Sequence, residues 1–280
     1  MNTRQATAES SPLGKSIDYP DRYDPGLLYP IERVIGRDAL GLCAPLPFTG
    51  VDLWTAYELS WLDVHGVPQV AIAQITVPAD SPRLIESKSL KLYLYGFAST
   101  RQPDRAALTD AIARDLCFAA AADVGVKLFS VVGSDAMPIR ELDGDCIDAI
   151  AIDVSDSGTP DAALLNTHDD TTAVEETLVS HLLKSNCPVT GQPDWASVQI
   201  RYRGPRMDRA RLLRYLISYR GHSGFHEQCV ERIFRDVLHR CTPQALSVYA
   251  RYTRRGGIDI NPYRATPGMV SPAHTRSARQ

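Results

Sequence analysis

Two parts of this chain repeat the same order of hydrophobic periodicities, and that repetition restricts its fold more than any other feature. Alternation with period two predicts strands, and spacing of three and four residues predicts helices. In the first part these patterns predict strands at 52–63 and 68–77, helices at 86–97 and 105–120, and strands at 126–132 and 147–154. In the second part they predict a strand at 195–203, helices at 207–219 and 226–240, and strands at 245–254 and 258–264. The opening strand of the second copy is the less clear one.

The repetition predicts an α+β fold made of two tandem β-β-α-α-β-β modules. Antiparallel hairpins with both helices on one face of the sheet would give each module a sheet layer and a helix layer. Residues 155–172 are polar and rich in turn-forming types, which is typical of a linker. The predicted divisions are an N-terminal extension (1–50), a first module (51–154), a linker and helix (155–185) and a second module (186–280).

Composition places the chain among globular proteins. Its 280 residues are 44% hydrophobic and 22% charged, which suffices for a core. The polar N-terminus lacks the apolar stretch of a secretory signal, and no apolar run is long enough for a membrane span. We therefore expect a cytoplasmic protein. The six cysteines form no CxxC pair, so the spacing predicts neither a metal site nor a disulfide framework.

Charge is distributed unevenly along the chain. Residues 201–280 contain 16 arginines, no lysine and 5 acidic residues, although the whole chain has a net charge of −3. This asymmetry indicates an anionic ligand or partner for the C-terminal part. A solvated basic face would produce the same count, and charge alone leaves the two interpretations open.

Cys187 and Asp194 lie at the two ends of one short loop, and Pro188 and Pro193 lie just inside these ends. The pair offers a soft nucleophile and a proton donor on a connection with restricted conformations. No cysteine or histidine lies near Cys187 at the spacing of a metal site, so the thiol is not expected to be a metal ligand.

Two predicted helix starts carry further polar groups. Glu86, Ser87 and Lys88 begin one helix, where they could cap it or hold a ligand and its anionic group. His226 and Glu227 begin another; Glu227 is off the apolar stripe, and His226 could act as a cap or as a donor near neutral pH.

The sequence Arg254-Arg255-Gly256-Gly257 separates the last two predicted strands. Glycines allow a ligand to approach the backbone, and arginines bind phosphate. The motif is a weak signal by itself, because many hairpins have this composition. The chain has no GxGxxG after a strand and no Walker-type loop, so a dinucleotide would need a fold other than the Rossmann type.

Four motifs occur in one order that identifies a family resemblance. They are ESKSLKLY at 86–93, NCPVTGQPD at 186–194, FHEQCVERIF at 225–234 and YTRRGGIDINP at 252–262. The sequence resembles the long, two-module NADPH-dependent 7-cyano-7-deazaguanine reductases, from Leu13-Gly14-Lys15-Ser16 to the C-terminus. The resemblance implies tunnelling-fold modules, a homodimer, and one site per chain at a module or subunit interface.

The resemblance also implies a reaction, in which two NADPH reduce the substrate's nitrile to an aminomethyl group for the synthesis of queuosine, a modified tRNA nucleoside. No metal takes part, and no direct binding of nucleic acid is expected. By this resemblance Cys187 forms a covalent thioimide and Asp194 transfers the proton. The remaining implied contacts are Ile85, Glu86, Ser87, His226 and Glu227 for the substrate, and Ser87, Lys88, Arg255 and Gly256 for NADPH.

Two other classes compete with this interpretation. A cysteine hydrolase could form the same thioimide and let water attack it. A binding module for purines, pterins or tRNA would use the basic C-terminal part, although that part lacks interleaved aromatic residues and a known RNA motif.

Overall fold

A computed structural model describes residues 19–133, 136–154, 158–168, 173–273 and 275–280. The Leu13–Ser16 end of the family resemblance and the first 18 residues of the predicted extension lie outside these ranges. The strands are β1 (Pro30–Glu32), β2 (Thr49–Leu62), β3 (Pro68–Pro78), β4 (Arg83–Ile85), β5 (Gly125–Phe129), β6 (Asp145–Cys146), β7 (Ala173–Asn186), β8 (Pro193–Pro205), β9 (Ala245–Tyr252) and β10 (Ile258–Ala265). The α-helices are α1 (Arg33–Asp38), α2 (Ser87–Tyr95), α3 (Arg105–Ala120), α4 (Arg209–Ile217) and α5 (His226–Cys241).

The chain divides into two compact units. The first contains the described residues of Met1–Cys43, Asp52–Pro138 and Arg254–Asp259. The second contains those of Ala44–Val51, Ile139–Thr253 and Ile260–Gln280.

In the first unit, strands lie in the order β5-β3-β2, and β1 pairs with β4. Strand β3 buries Ala71, Ala73 and Ile75, which alternate with more exposed residues such as Val70. Helix α3 packs against β4 and β5, and its N-cap is Asp104, whose carboxylate accepts the Ala107 N–H at 2.8 Å. Helix propensity and this cap explain why α3 has the predicted bounds.

In the second unit, strands lie in the order β10-β9-β8-β7-β6. All neighbours are antiparallel except β6, which pairs parallel with β7. One face of β8 is apolar, with Val198, Ile200 and Tyr202 each 1% exposed. Helix α4 packs against β7 and α5 against β9. The order after the linker is therefore strand, strand, helix, helix, strand, strand.

The α+β class with antiparallel pairing is confirmed, whereas two predictions about elements are wrong. Residues 147–154 form no strand, and only Asp145–Cys146 pair there. Their alternating residues Ile150, Ile152 and Val154 are not buried, so no face of a strand is stabilised.

The second error concerns the linker and helix predicted over 155–185. The described part of that segment has no α-helix and contains most of β7 instead. Strand β7 opens the long hairpin with β8, so the hairpin begins before residue 186, where the second module was expected to start. Across the described ranges, none of the helices combines the length and apolarity needed to cross a bilayer.

Candidate active site

The β7–β8 hairpin positions Cys187 and Asp194. Ser185 on β7 pairs with Asp194 on β8, and Cys187 is the second residue after Ser185. The Cys187 N–H donates to the Gln192 carbonyl at 2.9 Å, and the Gly191 N–H donates back to the Cys187 carbonyl at 3.1 Å. These bonds close the connecting loop, so the thiol and the carboxylate both lie at the closed end of the hairpin.

The Cys187 thiol is enclosed but has a local hydrogen-bond donor. Its residue is 4% exposed, and the Thr190 N–H donates to Sγ at 3.5 Å. A hydrogen bond from a donor favours the charged form of an acid. The loop therefore supplies one group that stabilises the thiolate, which is the reactive form of cysteine.

Backbone hydrogen bonds connect this end of the hairpin to the start of α5. The Asn186 N–H donates to the His222 carbonyl at 2.8 Å, and the Gly224 N–H donates to the Asn186 carbonyl at 3.0 Å. The segment that leads into α5 is thus paired with the residue next to Cys187. This pairing brings the first turn of α5, with Glu227 only 3% exposed, to the same part of the second unit.

His226 contacts Asp194 directly. Its Nε2 lies 3.4 Å from Asp194 Oδ2, and its ring stacks on Tyr252 with centroids 3.7 Å apart and planes 3° apart. The stacking fixes the ring plane. His226 Nδ1 is buried and has no hydrogen-bond partner within the described part of the chain. His226 does not cap α5, because the side-chain hydrogen bond at the start of this helix runs from the Phe225 N–H to the Gln228 side chain at 3.3 Å.

Cys229, one turn into α5, is a thiol of a different kind. Burial raises its pKa to about 12, the Asp194 carboxylate adds to that rise, and the neighbouring Ser185 and Tyr252 hydroxyls oppose it in part. It therefore remains a protonated thiol at neutral pH. Cys187 is the cysteine of this region that has both a thiolate-stabilising donor and a position in a loop.

In the first unit, Glu86 serves as the N-cap of α2. Its carboxylate accepts the Lys88 N–H at 2.6 Å and the Ser89 N–H at 2.8 Å, and the residue is 0% exposed. The capping interpretation of Glu86 is therefore confirmed. Each carboxylate oxygen has further lone pairs, so capping leaves acceptor capacity for a ligand. Ile85 ends β4 immediately before it and is 2% exposed.

The Arg255–Ile258 turn belongs to the same unit as α2. The Arg255 N–H donates to the Ile258 carbonyl at 2.9 Å, and Gly256 and Gly257 have φ values of 58° and 78°. Two consecutive positive φ values favour glycine, which explains the Gly-Gly pair. A Cβ on Gly256 would lie 3.3 Å from Lys91 Cδ, so the turn approaches α2 closely.

Lys91 is a residue that the sequence reasoning missed. It lies three residues after Lys88 and four after Ser87, which places all three along one side of α2. That helical spacing was the available signal. Arg254 in the same turn is exposed and stacks over Tyr57, 4.8 Å from the ring centroid. This cationic group, defined by Lys88, Lys91, Arg254 and Arg255, suits phosphates.

The predicted site residues thus form two groups. The second unit brings Cys187, Asp194, His226 and Glu227 together. The first unit contains Ile85, Glu86, Ser87 and Lys88 at the start of α2, and Arg255 and Gly256 in the glycine turn.

Comparison with known proteins identifies the chain. The family model described as nitrile reductase, 7-cyano-7-deazaguanine-reductase N-term, matches residues 19–128, and the model described as QueF-like protein matches residues 193–268. The first description names an enzyme class, the nitrile reductases, which are oxidoreductases.

Full-length relatives then give the family. Proteins named NADPH-dependent 7-cyano-7-deazaguanine reductase are 54% identical in Burkholderia multivorans (97% of this chain, 99% of the relative) and 55% identical in Bordetella parapertussis (97% and 98%). The Chromobacterium violaceum protein of that name is 55% identical over all of both chains. This chain belongs to the NADPH-dependent 7-cyano-7-deazaguanine reductase family.

A solved structure provides a more distant match. The apo archaeosine synthase QueF-Like is 19% identical, with a TM-score of 0.31, over 37% of this chain and 100% of that chain. At this distance the match does not bear on the fold or the site.

Proposed function

We propose that this protein reduces the nitrile of 7-cyano-7-deazaguanine to an aminomethyl group, with two NADPH consumed per product, through a covalent thioimide on Cys187. The observation that best supports this proposal is the position of the Cys187 thiol. It is enclosed at the end of the hairpin that also holds Asp194, and the Thr190 N–H lies 3.5 Å from its Sγ. Membership of the reductase family supports the substrate and the cofactor.

The first step joins the Cys187 sulfur to the nitrile carbon. The thiolate adds to that carbon, the nitrogen takes one proton, and the product is a thioimide with a C=N bond. Asp194 takes the thiol proton and returns it to the nitrogen, so no proton is lost overall. General acid–base catalysis of this type contributes about 10²–10⁴-fold. Addition converts a poor hydride acceptor into a better one.

Reduction then requires two hydrides, and bound NADPH supplies each of them. The first converts the thioimide to a hemithioaminal, which expels the Cys187 thiolate and leaves an imine. The second converts the imine to the amine. Each step adds one hydride and one proton, which gives four electrons in total. The enclosed position of Cys187 and Asp194, both 4% exposed, helps to protect the imine from hydrolysis.

His226 is proposed to hold the Asp194 carboxylate and contact the substrate. Its Nε2 is 3.4 Å from that carboxylate, and Tyr252 stacking limits its rotation. Glu86 and Glu227 are proposed as acceptors for the N–H groups of the guanine-like ring, with Ile85 and Ser87 beside it. A buried acceptor left without its donor is costly, so this pairing would reject rings with a different donor pattern.

NADPH is proposed to bind through Ser87, Lys88, Arg255 and Gly256, with Lys91 added. The first-unit residues fit such a ligand because the glycine turn exposes backbone beside Lys91, where any other side chain would crowd the lysine. The cationic group around this turn suits the cofactor phosphates.

The proposal also covers the module arrangement, the oligomeric state and the location of the protein. We infer two tandem tunnelling-fold modules, the second opening at β7, in a homodimer that acts in the cytoplasm on the free base and does not bind tRNA directly. The element order of the second unit supports the module assignment.

One experiment tests the reaction. Purified protein is incubated with 7-cyano-7-deazaguanine and NADPH, and cofactor oxidised is counted against aminomethyl product. We expect two NADPH per product, no turnover with Cys187→Ala, and unchanged turnover with Cys43→Ser, which alters an exposed cysteine of the first unit. Conversion of the nitrile to an amide or carboxylic acid without NADPH oxidation would instead identify a hydrolase and refute the reductase proposal.

A further inference from the structure

Cys146, Asp148 and His181 bring a thiol, a carboxylate and an imidazole together in the second unit. One donor atom from each residue lies within 4.8 Å of the others. Cys146 is exposed, and the other two are half-buried, so an ion from solvent can reach all three. None of them belongs to the residues assigned above to the reductase reaction.

Backbone pairing explains why these distant residues meet. Strand β6 pairs parallel with β7, and this places Cys146 opposite Val179. The turn after β6 then presents Asp148, whose carboxylate accepts the Ser180 hydroxyl at 2.6 Å and the His181 N–H at 2.8 Å. The β7–β8 register shifts just after Ser180, and such a bulge redirects the side chains next to it.

The His181 ring is also held from its other side. Its Nδ1 lies 2.9 Å from the Ser197 hydroxyl on β8. In the tautomer with a proton on Nδ1, this nitrogen donates to Ser197 and Nε2 keeps the lone pair that a metal needs. Metal-binding histidines are usually oriented by such a hydrogen bond through the second nitrogen.

We propose that Cys146, Asp148 and His181 form a Zn²⁺ site. Thiolate, imidazole and carboxylate are the side chains that bind zinc, and three protein donors leave a fourth tetrahedral position for water. With metal–ligand distances of about 2.0–2.3 Å, donors around a tetrahedral zinc lie about 3.5 Å apart. Donors already within 4.8 Å need only a small closing movement. A bound ion would fasten β6 to β7. This site does not depend on the proposed reductase function.

Cobalt provides a direct test, because Co²⁺ takes tetrahedral zinc sites and a cobalt–thiolate bond has its own ultraviolet charge-transfer absorption. The full chain, without an affinity tag, is titrated with Co²⁺ and then with Zn²⁺. We expect one Co²⁺ per chain with a thiolate band, and displacement of the Co²⁺ by Zn²⁺.

Variants locate the ion. Cys146→Ser should abolish the thiolate band, and His181→Ala or Asp148→Asn should weaken Co²⁺ binding by at least about tenfold. Cys43→Ser, at the other exposed cysteine, should leave the band unchanged. The proposal fails if wild-type protein shows no thiolate band, or if the band survives in Cys146→Ser. A band that Cys187→Ala removes and Cys146→Ser does not would place the metal at the buried thiol, and it would also overturn the proposal.

Discussion

At the scale of single residues, position decides which thiol can react. Cys187 and Cys229 are both buried, yet Cys187 accepts an N–H hydrogen bond in a loop, whereas burial raises the pKa of Cys229 to about 12. A cysteine that stays protonated at neutral pH is a packing residue. The sequence motif indicates Cys187, and the structure adds the buried surroundings that keep Cys229 protonated.

Asp194 gives the first prediction. Asp194→Asn keeps the shape of the side chain but removes the group proposed to carry the proton, so kcat should fall by about 10²–10⁴-fold. The measurement is steady-state NADPH oxidation with the nitrile substrate. Asp110→Asn, at an exposed aspartate of α3, is the matched control and should retain full activity. If Asp194→Asn kept kcat within a few fold, the proton-transfer role would be wrong.

The cationic group of the first unit gives the second prediction. Arg255→Ala and Lys91→Ala should each raise KM for NADPH about tenfold or more, because each removes a charge-assisted contact to phosphate. KM for the nitrile should change little. Arg105→Ala, which removes an exposed arginine at the start of α3, serves as control. An equal rise in both KM values would indicate that the residue is structural.

Much of the candidate site could be predicted from sequence, and the exceptions share a cause. Cys187 and Asp194 lie seven residues apart, so a loop motif contains both. No such motif contains the proposed zinc ligands Cys146, Asp148 and His181. His181 is distant in the sequence and comes close to the other two because β6 pairs with β7. Lys91 was missed because its proposed role in binding NADPH depends on the close approach of the Gly256 turn.

At the scale of elements, the two site helices start in different ways. Helix α2 is capped by the Glu86 carboxylate, which accepts two backbone N–H groups. Helix α5 follows Phe225, whose own N–H donates to the Gln228 side chain at 3.3 Å. His226 and Glu227 are therefore not needed for capping, whereas Glu86 would serve both a helix and a ligand.

Glu86 gives the third prediction. Glu86→Ala should lower the free energy of unfolding by about 0.5–2 kcal/mol through loss of the cap, and it should also raise KM for the nitrile. Asp104→Ala removes the cap of α3 and should cost similar stability without affecting that KM. Urea denaturation and steady-state kinetics on both variants separate the two effects. If neither variant changed KM, Glu86 would be a cap alone.

Most predicted elements agree with the structure because each has its own hydrophobic period. Helix α3 has the predicted bounds, and α5 differs by one residue. The prediction of a strand at 147–154 was wrong because the alternating apolar residues of this segment are not buried in the fold. The missed strand β7 alternates too, but its opening residues are polar, and it is a strand because 12 of its 14 residues pair with β8.

At the scale of the whole molecule, the arginine excess has a partly internal use. Arg264 is 0% exposed and pairs with Glu231 at 2.8 Å, and Arg251 donates to the Thr275 hydroxyl at 2.7 Å. Arg209 pairs with Glu176 at 3.1 Å. These arginines hold the second unit together, so the charge count overstates the basic surface available to an anion. The residues proposed for NADPH phosphates belong to the first unit instead.

The asymmetry between the two units gives the last prediction. The hairpin turn of the first unit, 63–67, contains no cysteine, and Asp63 there accepts the His65 and Val67 N–H groups at 2.8 and 2.9 Å. That carboxylate stabilises a tight turn and is occupied by backbone groups. Under the proposed mechanism, the nucleophile therefore lies at the hairpin end of the second unit and not at this turn of the first.

Without NADPH, the nitrile substrate should accordingly form one covalent adduct per chain, however large its excess. Thioimide formation loses no atom, so intact-protein mass spectrometry should show a gain of one whole substrate mass. Cys187→Ala should show no gain, and Cys43→Ser should behave like wild-type protein because Cys43 is exposed and outside the site. Two adducts per chain would mean that a second thiol has the reactivity assigned to Cys187. An adduct that survives in Cys187→Ala would refute the assignment of the nucleophile itself.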